Sequence, residues 1–394
     1  MAENANNDQG LSTRLIHHPY QPPAGFAAPQ IGVYKASTVV FPDVAAVRAR
    51  DWKNKTGYTY GLHGTPTSFA LEERISTLEG GTDTLLVPSG LAAIALVDTA
   101  LLKAGDEVLI PNNAYGPGRE LARVELAAWG ITHRLYDPAD AQALAALITP
   151  ATKLVWLEAP GSITMEFPDL PALIKVARDK GVLTALDNTW GAGVAFNAFA
   201  LGVDISAHAL TKFPSGGGDV LMGAVTTRDH ALHLRLKGSH MRLGWGVGAN
   251  DVEAVLRSLP SLALRYRAGD LAGRQLAAWW TQQPQIEQVL HPALAVSPGH
   301  ANWRQTCTHA AGLFSIVFKP EHAQERVHAF VDALKLYKIG YSWAGPVSLA
   351  VPYDLAQLRA KPNWAGTLVR FSIGLEEVED LRRDAQQALR QVFG

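Results

Sequence analysis

Between Thr67 and Asp187 short apolar runs alternate with stretches of helical spacing, and this alternation limits the fold more than any other feature of the chain. Helical spacing covers residues 68–78, 91–103, a stretch near 118–128, 139–148, and a run opened by Pro168 and Pro171 that reaches Lys180. Between them lie strands at 84–87, 107–110, around 133–136, 153–158 and 182–187. These strands are apolar without strict alternation, so both of their faces are buried. Strands of that kind, spaced by amphipathic helices, predict an α/β domain with a mostly parallel sheet covered on both sides. Ligands of such sheets collect beyond the carboxyl ends of the strands. Asp187 stands at one of those ends.

After about Ser258 the order changes. A long helix over 263–281 is followed by a strand at 313–319, a helix over 323–334, strand-like segments near 348–352 and 368–373, and a last helix from Glu377. This predicts a smaller C-terminal α+β domain. Residues 1 to about 60 are rich in Pro, Asn and Gln and have no sustained period, so they read as an extended arm laid on another surface. The expected division is an arm over 1–60, a first domain over 61–257 and a second over 258–394.

The chain of 394 residues carries 35 Lys and Arg against 36 Asp and Glu, which excludes the cation excess that a nucleic-acid binder needs. Its single cysteine, Cys307, excludes an intrachain disulfide framework and any multi-cysteine metal site. The opening residues are polar and acidic, without a basic and then apolar leader, and no apolar run reaches membrane-spanning length. We therefore expect a cytoplasmic protein with no membrane or nucleic-acid partner and no metal.

The chemistry concentrates in Ser206-Ala-His-Ala-Leu-Thr-Lys212-Phe-Pro-Ser-Gly-Gly-Gly-Asp219, downstream of Asp187-Asn-Thr-Trp190. A reactive lysine after a strand-end aspartate suits a pyridoxal phosphate enzyme. The lysine forms an imine with the cofactor aldehyde, and the aspartate keeps the pyridine nitrogen protonated. Pro88-Ser89-Gly90-Leu91 joins a strand to a helix, where free N–H groups favour a phosphate, although any β–α turn can carry such a glycine. Tyr115 follows a strand and suits either a ring laid on a planar cofactor or a packed loop aromatic. Thr211 offers a hydroxyl beside Lys212. Arg370, on a strand, suits a bidentate grip on a carboxylate or a structural salt bridge. The glycines of Gly244-Trp-Gly246-Val-Gly248 have the wrong spacing for a dinucleotide fingerprint and follow no strand.

Taken in order, these segments resemble the Cys/Met-metabolism pyridoxal phosphate enzymes, and within them the subgroup of cystathionine β-lyases. The resemblance runs from about Thr56 to the C-terminus. It is carried by Tyr60-Gly-Leu-His-Gly-Thr65, Leu78-Glu-Gly-Gly81, Asn113-Ala-Tyr115, Pro160-Gly-Ser-Ile-Thr-Met-Glu166, Asp187-Asn-Thr-Trp190, Thr211-Lys212, Gly340-Tyr-Ser-Trp343 and Gly366-Thr-Leu-Val-Arg370. It implies the aspartate-aminotransferase-like fold of PLP-dependent transferases and pyridoxal 5'-phosphate as cofactor. It also implies a homotetramer, a dimer of dimers, with active sites shared between subunits.

The resemblance implies roles position by position. Lys212 is the imine lysine and the base for the Cα proton, Asp187 the partner of the pyridine nitrogen, and Tyr115 the ring stacked on the cofactor. Gly90, Leu91 and Thr211 contact the phosphate, with Tyr60 reaching it across the subunit interface. Ser342 and Arg370 hold the α-carboxylate, with Trp343 near them. The implied reaction is β-elimination from cystathionine, or another amino-acid thioether, to homocysteine or another thiol, pyruvate and ammonia. The rivals are the γ-synthase and γ-lyase of the same family and a non-catalytic cofactor-binding protein. Relatives with γ-chemistry commonly have an acid where this chain has Tyr341. The chain also departs from the family pattern: Leu62 and His63 stand where arginines are usual, so Leu62 cannot donate to the phosphate, and His63 either faces the distal end of the substrate or packs in its loop. A smaller departure is Gly217, in a loop where relatives often have histidine.

Overall fold

The computed structural model describes residues 9–358 and 363–394, and the first eight residues of the expected arm lie outside them. Seven strands form the larger sheet: β1 (Asp83–Val87), β2 (Glu107–Pro111), β3 (Thr132–Tyr136), β4 (Thr152–Glu158), β5 (Leu183–Asp187), β6 (Ile205–His208) and β7 (Gly223–Thr227). They lie in the order β1-β7-β6-β5-β4-β2-β3. The pairs from β3 through β6 are parallel, whereas β7 runs antiparallel to both of its neighbours. Two antiparallel steps restore direction, so β1 runs the same way as β6. The ends of β1, β2, β4, β5 and β6 therefore open on one edge of the sheet.

Period-2 alternation explains why these strands look uniformly apolar. On β4, Val155 and Leu157 enter one core and Leu154 and Trp156 the other; on β1, Leu86 enters the first while Leu85 and Val87 enter the second. The helices between them start on capping residues. Thr65 and Ser68 form a reciprocal capping box ahead of the Pro66–Glu79 helix, Ser89 caps Gly90–Leu101 through Ala92 N–H, and Asp169 caps Leu170–Asp179 through Ala172 N–H. The expected helix near 118–128 is a short α segment, Gly116–Leu121, running into a π-helical turn, Ala122–Leu126.

The second sheet has the order β10-β11-β12-β9-β8. Its strands are β8 (Ile286–Leu290), β9 (Leu313–Phe318), β10 (Lys338–Ile339), β11 (Leu349–Tyr353) and β12 (Leu368–Ser372), packed behind the Leu262–Trp280 helix. Alternation again divides the faces. Phe314, Ile316 and Phe318 of β9 and Val369 and Phe371 of β12 enter a core with Trp280 and Phe330, while Leu313, Val317 and Leu368 join the core of the larger sheet. Arg370 shares a face with Leu368, and β12 thus aims it at the larger sheet.

Several elements escaped the sequence reading. β6 has only four residues and ends in polar Ser206-Ala-His208. β7 follows a glycine run that reads as a loop. The His230–Leu243 helix buries Lys237 and His240 along with Leu232 and Leu236, which blurs its apolar stripe. In the N-terminal region, a helix at Leu11–Ile16 buries Leu15 in the main core and another forms at Val44–Ala49, so part of this stretch packs on its own chain. Among the described residues no helix is long and apolar enough to cross a membrane.

Candidate active site

The carboxyl-end edge of the larger sheet gathers most of the singled-out residues. Asp187 ends β5, and Lys212 lies in the turn after neighbouring β6, its N–H donating to Ala209 O at 3.0 Å. Gly90 opens the helix after β1. Ser89 Oγ accepts from Ala92 N–H at 3.0 Å, which leaves the first N–H groups of that helix, those of Gly90 and Leu91, without an intrahelical carbonyl. A Cβ on Gly90 would stand 2.5 Å from Ala209 Cβ, so glycine here allows the helix start to close on the Lys212 turn. Tyr115 follows β2. Its N–H donates to Glu158 Oε2 at 2.7 Å, and its ring lines, with Glu158 and Asp187, a cavity of about 20 Å³.

The second sheet supplies the opposite wall. Lys212 Nζ donates to Ser342 Oγ at 2.8 Å and lies 5.4 Å from the centre of the Trp343 ring. Arg370 is 6% exposed, and its guanidinium donates to Ser162 O at 3.2 Å and to Tyr341 O at 2.7 Å. Among the described residues it has no carboxylate partner, which sets aside the structural salt bridge as its role. Tyr341 itself is 77% exposed.

The charges here act on one another. Burial, with the nearby Arg370 charge, pushes the Lys212 ammonium down to about 8, and Asp187 only partly offsets it. Burial raises the Asp187 carboxyl, against hydrogen bonds from Thr189 and the charges of His208 and Lys212. Glu158 is held well above the usual carboxylate range by burial and by the adjacent Asp187 charge. The Tyr115 phenol is also raised, first by burial and then by Asp187 and Glu158.

The single chain does not bring every expected residue to this edge. Tyr60 and His63 sit on a turn of their own, where their rings meet edge-on at 5.8 Å and His63 Nδ1 lies 2.8 Å from Thr59 Oγ1. No hydrogen bond or ring contact joins either to Lys212, Asp187 or Arg370 among the described residues. Burial lowers the His63 imidazole, helped by the charges of Lys237, His240 and Arg50. Leu62 lines a separate cavity of about 420 Å³ with Glu72 and His240. Thr211 Oγ1 exchanges hydrogen bonds with Met222 O at 3.2 Å and Met222 N at 3.1 Å, locking the turn that carries Lys212. Gly217 lies between two glycines of positive φ, Gly216 and Gly218. The sequence reading missed Glu158 and Tyr353. Glu158 carried the same signal as Asp187, an acid at the carboxyl end of a buried strand. Tyr353 carried none.

The buried acid, the flat ring, the amine with a depressed pKa and the open helix start together fit pyridoxal phosphate. The sequence matches the model of the Cys/Met metabolism PLP-dependent enzymes over residues 12–390. The chain belongs to that family. Its cofactor is accordingly pyridoxal 5'-phosphate, and its fold is that of the fold-type I PLP enzymes. The cystathionine β-lyase of Bordetella avium is 36% identical over 388 residues, covering 95% of this chain and 96% of that protein. The cystathionine β-lyase of Escherichia coli strain K12 is 33% identical over 393 residues, covering 98% and 99%. The crystal structure of a cystathionine γ-lyase from Lactobacillus plantarum, complexed with L-serine, superposes with a TM-score of 0.89 at 25% identity, covering 98% of this chain and 100% of that one.

Proposed function

We propose that this chain is a carbon–sulfur lyase that cleaves L-cystathionine, and other S-substituted cysteines, by β-elimination. Cystathionine and water would yield homocysteine, pyruvate and ammonia. The observation that carries this reading is the wall opposite Asp187, where a buried Arg370, without an acid partner among the described residues, lies near Lys212, Ser342 and Trp343. The names of relatives that the chain matches over nearly its whole length support it.

Pyridoxal phosphate, bound against Asp187 and Tyr115, supplies the electron sink that lets a substrate Cα–H ionise. Gly90, Leu91 and Thr211 would hold its phosphate. Arg370 spends two of its five N–H donors on backbone carbonyls, leaving three for the α-carboxylate. Ser342, within hydrogen-bond reach of Lys212 Nζ, would hold the lysine while the carboxylate docks. With its pKa near 8, Lys212 has a substantial neutral fraction at physiological pH and can take the Cα proton at Nζ. Tyr341 and Trp343 put no carboxylate near the substrate Cγ, which favours loss of the thiolate from Cβ over γ-chemistry.

Tyr60 and His63 stand apart from Lys212 within one chain, which supports a reading in which a second subunit supplies them, in a cytoplasmic homotetramer with shared sites. His63 would then face the distal end of the substrate without a permanent charge. The arm of residues 1–60 would reach that neighbour, leaving 61–257 to bind the cofactor and 258–394 to close the substrate wall.

The test is product identification with L-cystathionine. Pyruvate with homocysteine, abolished by Lys212→Ala, is the expected result. Predominant 2-oxobutyrate with cysteine overturns the β-elimination reading.

A further inference from the structure

We propose that Tyr353 is a positioning residue for Arg370, presenting an aromatic face that steadies the buried guanidinium without occupying its hydrogen-bond donors. The proposal deepens the functional reading above and rests on its assignment of Arg370 to the α-carboxylate.

The strand register sets the arrangement. β11 and β12 pair antiparallel, with Tyr353 opposite Leu368 and Val351 opposite Arg370. Tyr353 and Arg370 are therefore diagonal neighbours on one face, a separation that an aromatic ring and a long side chain bridge. The Arg370 Cζ lies 5.3 Å from the centre of the Tyr353 ring. The same ring meets Tyr341 edge-on at 6.2 Å, and Tyr341 O accepts from Arg370. Ring, carbonyl and guanidinium thus form one block at the mouth of the site.

Chemistry explains why a ring suits this position. Arg370 is nearly buried, so its charge needs compensation. A carboxylate partner would give it, but would also occupy the fork that a substrate carboxylate must grip. An aromatic face attracts the cation through its quadrupole and accepts no N–H in the guanidinium plane. The described residues provide the ring and no acid. A substrate carboxylate then meets a cation that no acid of the described residues occupies, and the plane of the fork is set before it arrives.

The experiment titrates the holoenzyme with L-alanine and with L-alaninamide, following the absorbance of the bound cofactor. These ligands differ in the carboxylate that Arg370 would read. Tyr353→Leu and the longer, more flexible Tyr353→Met, both without a π face, are expected to weaken L-alanine about tenfold, or about 1.4 kcal/mol. L-Alaninamide should change less than about twofold, and Tyr353→Phe, which keeps the ring, should match the unaltered enzyme. In turnover of the thioether, KM should rise about tenfold with kcat within about twofold. Equal weakening of both ligands shows general damage to the pocket and overturns the proposal, as does an L-alanine affinity held within twofold in whichever of the two variants retains cofactor. An unaltered enzyme that ignores L-alanine overturns the carboxylate role of Arg370 and the proposal with it. Product identity does not enter these readouts, so failure here is separate from failure of the β-elimination reading.

Discussion

Glu158 and Asp187 are register partners at the carboxyl ends of adjacent parallel strands, β4 and β5, with their side chains on the same face of the sheet. Two buried carboxyls so placed cannot both ionise freely: burial raises both, and the Asp187 charge raises Glu158 further. In the proposed site Asp187 is the one that would be ionised, to meet a protonated pyridine nitrogen. Glu158, the more strongly raised, remains the neutral member and accepts the Tyr115 N–H.

From this pairing, Glu158→Gln should be mild and Glu158→Ala severe. Glutamine keeps an acceptor for Tyr115 N–H and, like the neutral acid it replaces, puts no charge beside Asp187. Alanine removes the acceptor of that N–H, a bond worth about 0.5–1.5 kcal/mol, and empties the space beside Asp187. Cofactor affinity of the glutamine variant is expected within about threefold of the unaltered protein, and that of the alanine variant at least about fivefold weaker, measured by equilibrium dialysis. Equal losses in both variants would show that the charge, and not the hydrogen bond, is what matters.

A second prediction concerns how the protein without cofactor captures pyridoxal phosphate. A lysine attacks an aldehyde only as the free amine, and Lys212 is held down to about 8 by burial and by Arg370. Below that pH the reactive fraction falls tenfold per unit; above it the fraction is complete. The capture rate, followed by absorbance, should rise about tenfold per unit up to about pH 8 and then level off. Borohydride should fix the label on the peptide containing Lys212. A rise continuing to pH 10 would mark an ordinary exposed lysine.

The third concerns stability. Glu79 is buried behind the site, and its carboxylate accepts from Asn188 Nδ2 at 2.8 Å and Ser206 Oγ at 2.7 Å and lies 2.7 Å from His208 Nδ1. Burial alone would raise this carboxyl, but His208 and the three hydrogen bonds outweigh it and hold it below its usual 4.5. A depressed carboxylate contributes its full stability above pH 4.5 and loses it as the pH falls further. Glu79→Ala should cost about 3–5 kcal/mol in urea unfolding at neutral pH, because it strands three buried partners. Glu79→Gln should flatten the acid limb of the stability profile. A change under about 1 kcal/mol for the alanine variant would show that water replaces the carboxylate.

Local chemistry made much of this protein legible in its sequence. Caps, apolar strands and helical spacing are set by residues a few positions apart, so the run of elements from the Pro66–Glu79 helix to β5 could be read directly, as could Lys212 and Asp187. What the sequence left unread depends on partners distant along the chain. β7 is a short run after glycines until β1 and β6 flank it. Arg370 is ambiguous until β12 turns it toward the larger sheet with no acid paired to it among the described residues, and Tyr353 is silent until strand register lays it against the guanidinium. Tertiary structure decides these because a charge takes its function from what surrounds it, and the surroundings of Arg370, β9, β11 and the Ser162 carbonyl, come from segments up to 208 residues away.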